Sequence, residues 1–194
     1  ALLRELLFQF AGSELYLGLI IGNWIAAEAL GAFVAGRFMT GPVRTTSRYI
    51  RLTILFSLLF PAMLFLARTW RTVAGLPIHE AVSLWQTLAV SIMIIFPLAV
   101  IHGAQFILAT SIHAELTGRR AESPGKVYGM ETVGTVIGGA AASFILVPLV
   151  PPFQIATMVI FLNGLICTAL QKADKKEVSP AAWTTLLIPL LASI

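Results

Sequence analysis

Five apolar runs, 15–36, 50–67, 82–112, 127–149 and 153–171, dominate this sequence, and two partial ones, 1–11 and 180–194, flank them. A bilayer core about 30 Å thick takes roughly 20 apolar residues in helical form. Lipid admits only segments that satisfy their own backbone hydrogen bonds. Glycine and proline mark the breaks, at Gly41 and Pro42, Gly75 and Pro77, Gly118, Pro124 and Gly125, Pro148 with Pro151 and Pro152, and Pro180. The expected fold is all-α: a polytopic transmembrane helical bundle over 1–194, with about seven membrane segments, the first and last incomplete. The polar stretches 37–49, 68–80 and 113–126 are too short to bury a core, so no soluble domain is expected.

Basic residues fall on every second loop. Arg37, Arg44, Arg48 and Arg51 lie in the first, Arg119, Arg120 and Lys126 in the third, and Lys172, Lys175 and Lys176 in the fifth. Arg68 and Arg71 occupy an intervening loop, and Arg4 lies inside the first apolar run. Lys and Arg are retained on the cytoplasmic side during insertion, so loops 37–51, 113–126 and 172–177 are expected in the cytoplasm. The expected location is a bacterial cytoplasmic (inner) membrane.

Charged residues make up only 11% of the chain, against about 25% in soluble domains, and 58% of the residues are apolar. The net charge of +4 is accounted for by the loops, and no basic face with interleaved aromatics appears, so no nucleic acid is expected as a partner. The single cysteine, Cys167, has no partner for a disulfide or a thiolate metal site and is expected to be a buried thiol. The start lacks a cleavage-type signal, and the missing initial Met and apolar ends imply a piece cut from a longer protein.

Helix association in lipid relies on close backbone approach. Gly18 and Gly22 form a GxxxG pair, Ala27, Gly31 and Ala35 continue the spacing, and Gly134 and Gly138 do the same in the fifth run. Ionisable groups there are costly, at about 2.5–3.5 kcal/mol for a charge at mid-bilayer. Glu28 lies deep in the second run, and an Arg4-centred network with Glu5 or Glu28 is expected, read either as a structural clamp or as a proton or substrate site. Glu131 shares a face with Gly134 and is expected to pair with a basic loop residue or to belong to that intramembrane network.

His102 and Gln105 are three apart on one helix face and are candidates to line a cavity or a cofactor site, with His113 near the cytoplasmic boundary. Eleven residues separate the two histidines, about 16 Å along one helix, so they cannot clamp one haem together. No catalytic constellation, no metal-ligand set and no cofactor is expected, with haem b on a single histidine as the alternative. A kink is expected at Pro97. Trp70 and Trp85 are expected as interfacial anchors.

The run Arg4, Glu5, Leu6, Leu7, then Gly12 to Leu15, Gly18, Trp24 and Gly31 to Arg37 resembles the opening of polytopic spermidine synthase-like membrane proteins. Gly125 to Gly134, with Gly138, Gly139 and Pro148, resembles the same family's fifth helix. The resemblance implies a major-facilitator-like half preceding a soluble aminopropyltransferase domain. No Gly-rich nucleotide-type loop follows a strand here, so no aminopropyltransferase activity is expected of these residues. Gly36, Arg37 and Pro42 stand where major-facilitator proteins carry a longer loop motif, without its Asp and second Arg.

Three functions remain open at this level. The first is a non-catalytic membrane module that anchors or scaffolds a C-terminal domain or other subunits. The second is a secondary transporter half for polyamine-like or other organic cations, a small-molecule class taken from the resemblance. The third is a membrane subunit of a redox complex with a haem or quinone site.

Overall fold

The computed structural model describes residues 2–10, 14–39, 45–77 and 82–173. They form helices α1 (Leu2–Gln9), α2 (Glu14–Phe38), α3 (Thr45–Val73), α4 (Leu84–Thr117), α5 (Ser123–Ala141), α6 (Val147–Leu149) and α7 (Pro152–Ala173). A π-helical turn, Ala142–Leu146, joins α5 to α6, so 123–149 is one continuous rod. Pro148 has no N–H for the carbonyl four residues back and its ring crowds the preceding turn, which accounts for the loosened turn before it.

Five helices, α2, α3, α4, the α5–α6 rod and α7, are long and apolar enough to cross a membrane, which marks the chain as an integral membrane protein. Of the seven expected segments, α1 has eight residues and cannot span alone, and 180–194 lies outside the described residues. Arg44, Lys175 and Lys176 also lie outside them. The expected loops are shorter than the polar stretches implied. Helix α3 starts at Thr45 and takes in Arg48 and Arg51, and its last turns take in Arg68 and Arg71.

Contacts fix the directions. Tyr16 reaches the Val82 carbonyl and Asn23 reaches Ser91, so α2 and α4 run parallel. Thr45 meets Glu115 and Thr53 meets Gln105, so α3 runs antiparallel to α4. His113 meets Ser123, which turns α5 back along α4, and Ser57 with Asn163 sets α7 antiparallel to α3. The basic residues Arg37, Arg48, Arg51, Arg119, Arg120, Lys126 and Lys172 therefore gather at one end of the bundle, here the basic end.

Helix α4 is the axis, with α2, α3 and α5 against it and α7 behind α3. It begins with a capping box, in which the Gln86 N–H donates to Ser83 Oγ and the Ser83 N–H donates to Gln86 Oε1, and ends at Gly118 in the left-handed conformation. Pro97 lies inside it and Pro61 inside α3, and neither interrupts its helix. The apolar core, with Leu6, Phe10, Ile20, Leu64, Trp70, Ile94, Leu98 and Ala156, fills the half of the bundle away from the basic end.

Among the described residues, Gly31 is the one of the glycines expected to pack helices that meets a neighbouring helix. A Cβ on it would lie 2.0 Å from the Val100 carbonyl oxygen, whereas Gly18, Gly22, Gly134 and Gly138 would meet nothing within 4 Å. The partner of Gly31 in this contact is Gly103, where a Cβ would lie 1.9 Å from the Glu28 carbonyl oxygen. Helix α5 buries only Ser123, so its glycine stripe has no partner among the described residues. Trp70 is also not the expected anchor: it is buried, with its ring 5.7 Å from that of Phe10, whereas Trp85 is exposed.

Gly31→Ala and Gly103→Ala should each force α2 and α4 apart and lower stability by about 1–3 kcal/mol. Gly18→Ala and Gly134→Ala should cost nothing and can gain up to about 1 kcal/mol from helix propensity. Thermal unfolding of the detergent-solubilised protein checks both pairs.

Candidate functional site

The α2–α4 contact sets two ionisable side chains side by side. Glu28 lies one turn before Gly31, and His102 directly precedes Gly103, so the touching backbones bring carboxylate and imidazole to one level. His102 Nδ1 lies 2.8 Å from Glu28 Oε1. The second Glu28 oxygen accepts the Trp24 indole N–H at 2.8 Å, from one turn earlier on the same helix. The Trp24 and His102 rings lie 5.8 Å apart, tilted. From the other side, α5 supplies Glu131, whose Oε1 is 3.5 Å from His102 Nε2.

Glu28, His102 and Glu131 thus form a triad from three helices, each offering a ligand atom within 4.8 Å of the others. Their side chains are 30%, 37% and 33% exposed. At about 1.5 Å per residue, Glu28 stands roughly 15 Å from the end of α2 and Glu131 roughly 12 Å from the start of α5, well inside the apolar spans. Two carboxylates and one imidazole there can hold a cation or relay a proton.

A cleft of about 630 Å³ opens beside the triad in the half of the bundle nearer the basic end, between α3, α4, α5 and α7. His102 and Glu131 form part of its wall. Gln105, on the same face of α4, also lines it and donates to Thr53 Oγ1 at 2.9 Å, and Thr53 in turn donates to the Tyr49 carbonyl. Asn163 of α7 donates to Ser57 Oγ at 3.0 Å. A second depression, of about 440 Å³, lies on the other side of Glu131 and includes Glu28, Tyr128 and Thr132.

The expected Arg4-centred network is not what forms. Arg4 is exposed and donates to the Val147 carbonyl, joining α1 to the end of the π-turn. Glu5 is held instead by Arg68 in a two-point ion pair, at 2.8 and 3.2 Å. The Arg68 guanidinium also lies 5.4 Å from the centre of the Phe153 ring, so one side chain ties α1, α3 and α7 together. Arg71 is buried and donates to the carbonyls of Gln9 and Pro77, fastening the end of α1. Glu131 reaches His102 rather than the basic loop.

His113 is separate from the triad. The Ser123 hydroxyl gives its one proton to the Arg119 carbonyl, so His113 Nδ1 donates to Ser123 Oγ, at 2.9 Å. Both ring nitrogens of His102 face carboxylates, an arrangement unlike that of an axial haem ligand. Trp24, Arg68 and Gly103 were not singled out for these roles from sequence. A mid-span Trp one turn from a mid-span Glu, and a Gly beside a mid-span His, are the signals that point to two of them.

No protein-family model, curated protein or solved structure matches this chain.

Arg68→Leu should leave Glu5 buried beside α3 without its cation and lower stability by about 1–3 kcal/mol, less than for a fully buried pair because Arg68 is 41% exposed. Arg4→Leu should change it by no more than about 0.5 kcal/mol. Comparison of the two unfolding midpoints in detergent checks this ordering.

Proposed function

We propose that this chain is a transport-type membrane module that binds a small cation at Glu28, His102 and Glu131 and exchanges it against protons. The observation that carries this reading is the meeting of three ionisable side chains from α2, α4 and α5, two of them, His102 and Glu131, in the wall of a cleft, inside spans that are otherwise apolar. Intramembrane ionisable residues are costly and mark ion pathways or proton relays. An imidazole is the side chain whose charge changes near physiological pH, and here it stands between two carboxylates.

The basic end faces the cytoplasm of a bacterial inner membrane in this reading, and the packed core closes the opposite end. In this reading the five spans belong to a major-facilitator-like half of about seven segments, and the resemblance to spermidine synthase-like membrane proteins supplies organic amines as one class of cation. A purely anchoring module would need the Glu5–Arg68 clamp and the α2–α4 contact, but would have no use for two carboxylates and an imidazole gathered beside a cleft. Attachment of a partner domain is compatible with the transport reading and is not required by it.

Purified protein in proteoliposomes containing a pH-sensitive dye should move protons when a gradient of a transported cation is imposed, with organic diamines and metal dications as the panel. Glu28→Gln and Glu131→Gln should each lower that rate at least about tenfold, equivalent to roughly 1.4 kcal/mol. Proton movement that no cation elicits, or that both variants retain in full, would refute the reading.

A further inference from the structure

We infer that the Glu28–His102–Glu131 triad is a binding site for one divalent transition-metal ion of the zinc and cobalt kind. This rests on the cation-binding reading above and specifies its ligand. The donor set is one imidazole nitrogen and two carboxylate oxygens, drawn from three separate helices. Imidazole with carboxylate suits zinc, cobalt and related ions, whereas magnesium and calcium take oxygen ligands almost alone.

Charge points the same way. With the imidazole neutral, the triad carries two negative charges in an apolar span. A dication bound by two carboxylates and a neutral imidazole brings the site to zero, while a monovalent ion leaves one charge uncompensated. Since an isolated charge in lipid is costly, a neutral filled site is the favoured one.

Geometry is close to what such an ion needs. Metal bonds of about 2.1 Å place neighbouring ligand atoms about 3.4 Å apart in a tetrahedron. His102 would ligate through one ring nitrogen: Nδ1 already stands 2.8 Å from Glu28 Oε1, Glu131 Oε1 now approaches the other nitrogen, Nε2, at 3.5 Å, and one donor from each residue lies within 4.8 Å of the other two. The remaining adjustment falls on Glu131, carried by the helix that buries almost nothing of itself. Glu28 is already oriented, because the Trp24 N–H holds Oε2 and leaves Oε1 toward the site. This is the outer-shell support that metal-ligating side chains normally have. The cleft beside His102 and Glu131 gives an entry path and room for water on the open side of the ion.

The test is Co²⁺ binding to the whole purified protein in detergent, followed by its visible absorption and by calorimetry. One saturable Co²⁺ per chain is expected, displaced by Zn²⁺ and not by excess Mg²⁺, with a raised unfolding temperature. Trp24→Phe should weaken binding roughly 10–100-fold as an outer-shell loss, and His102→Gln or Glu131→Gln by more than that. His113→Gln should leave binding unchanged. If folded wild-type protein binds neither Co²⁺ nor Zn²⁺ at millimolar concentration, the inference is wrong, whether or not the variants fold. Binding that survives His102→Gln in full also overturns it, because the ion then sits elsewhere. Metal binding without cation-driven proton movement would support the site and remove the transport reading. Proton movement driven by organic amines, with no metal bound, would retain transport and remove the metal.

Discussion

Where Gly31 meets Val100 and Gly103 meets Glu28, two helix backbones touch with no side chain between them, and the polar centre follows from that contact. In lipid no hydrophobic force drives helices together, so association depends on packing and on hydrogen bonds between helices. The close approach supplies the first. It also makes the second available, by setting the Glu28 carboxylate against the His102 ring. A wider separation of α2 and α4 would part the Glu28 carboxylate from the imidazole and leave Trp24, on its own helix, to hold it in an apolar span, with the cost that implies.

The bundle divides its two tasks along its length. Toward the end away from the basic loops, large apolar side chains fill the space and Arg68 and Arg71 fasten α1. In the other half, hydrogen-bonded polar side chains replace that filling: Gln105 with Thr53, Asn163 with Ser57, and Thr45 with Glu115. Each bond joins two helices while leaving space beside it. The cleft lies in this second half, next to the helix with the least buried surface, so one wall of the site is its least constrained part.

Span positions were largely legible in the sequence, because apolar length and Gly/Pro breaks report them directly. Where they were not, the reason is local. Helix α3 extends back to Thr45 and on to Val73 through residues too polar to count as apolar, since a helix continues beyond the hydrocarbon wherever its backbone bonds are satisfied. Small-residue spacing was a partial guide to packing: Ala27, Gly31 and Ala35 do form a buried face of α2. Gly18, Gly22, Gly134 and Gly138 have the right intervals but face open space, and spacing carries no information about which helix stands opposite. The site was legible in its members and not in its pairing. Glu28, His102 and Glu131 each stand out as ionisable groups in apolar runs, yet the nearest formal cation in the first run, Arg4, lies elsewhere and donates to Val147.

By itself the sequence determined that the chain is helical, that five of its segments can cross a membrane, and that most of its basic residues fall on alternate loops and so toward one end. Those properties depend on each residue's own transfer free energy and on its distance along the chain, and need no knowledge of neighbours. Only the tertiary structure decided that Arg68 rather than Arg4 holds Glu5, that Trp70 lies in the core, and that Glu28 and Glu131 share His102. Each of these is a choice among several chemically acceptable partners. That choice depends on which helices touch and at what level, and touching is set by packing between elements far apart in the chain.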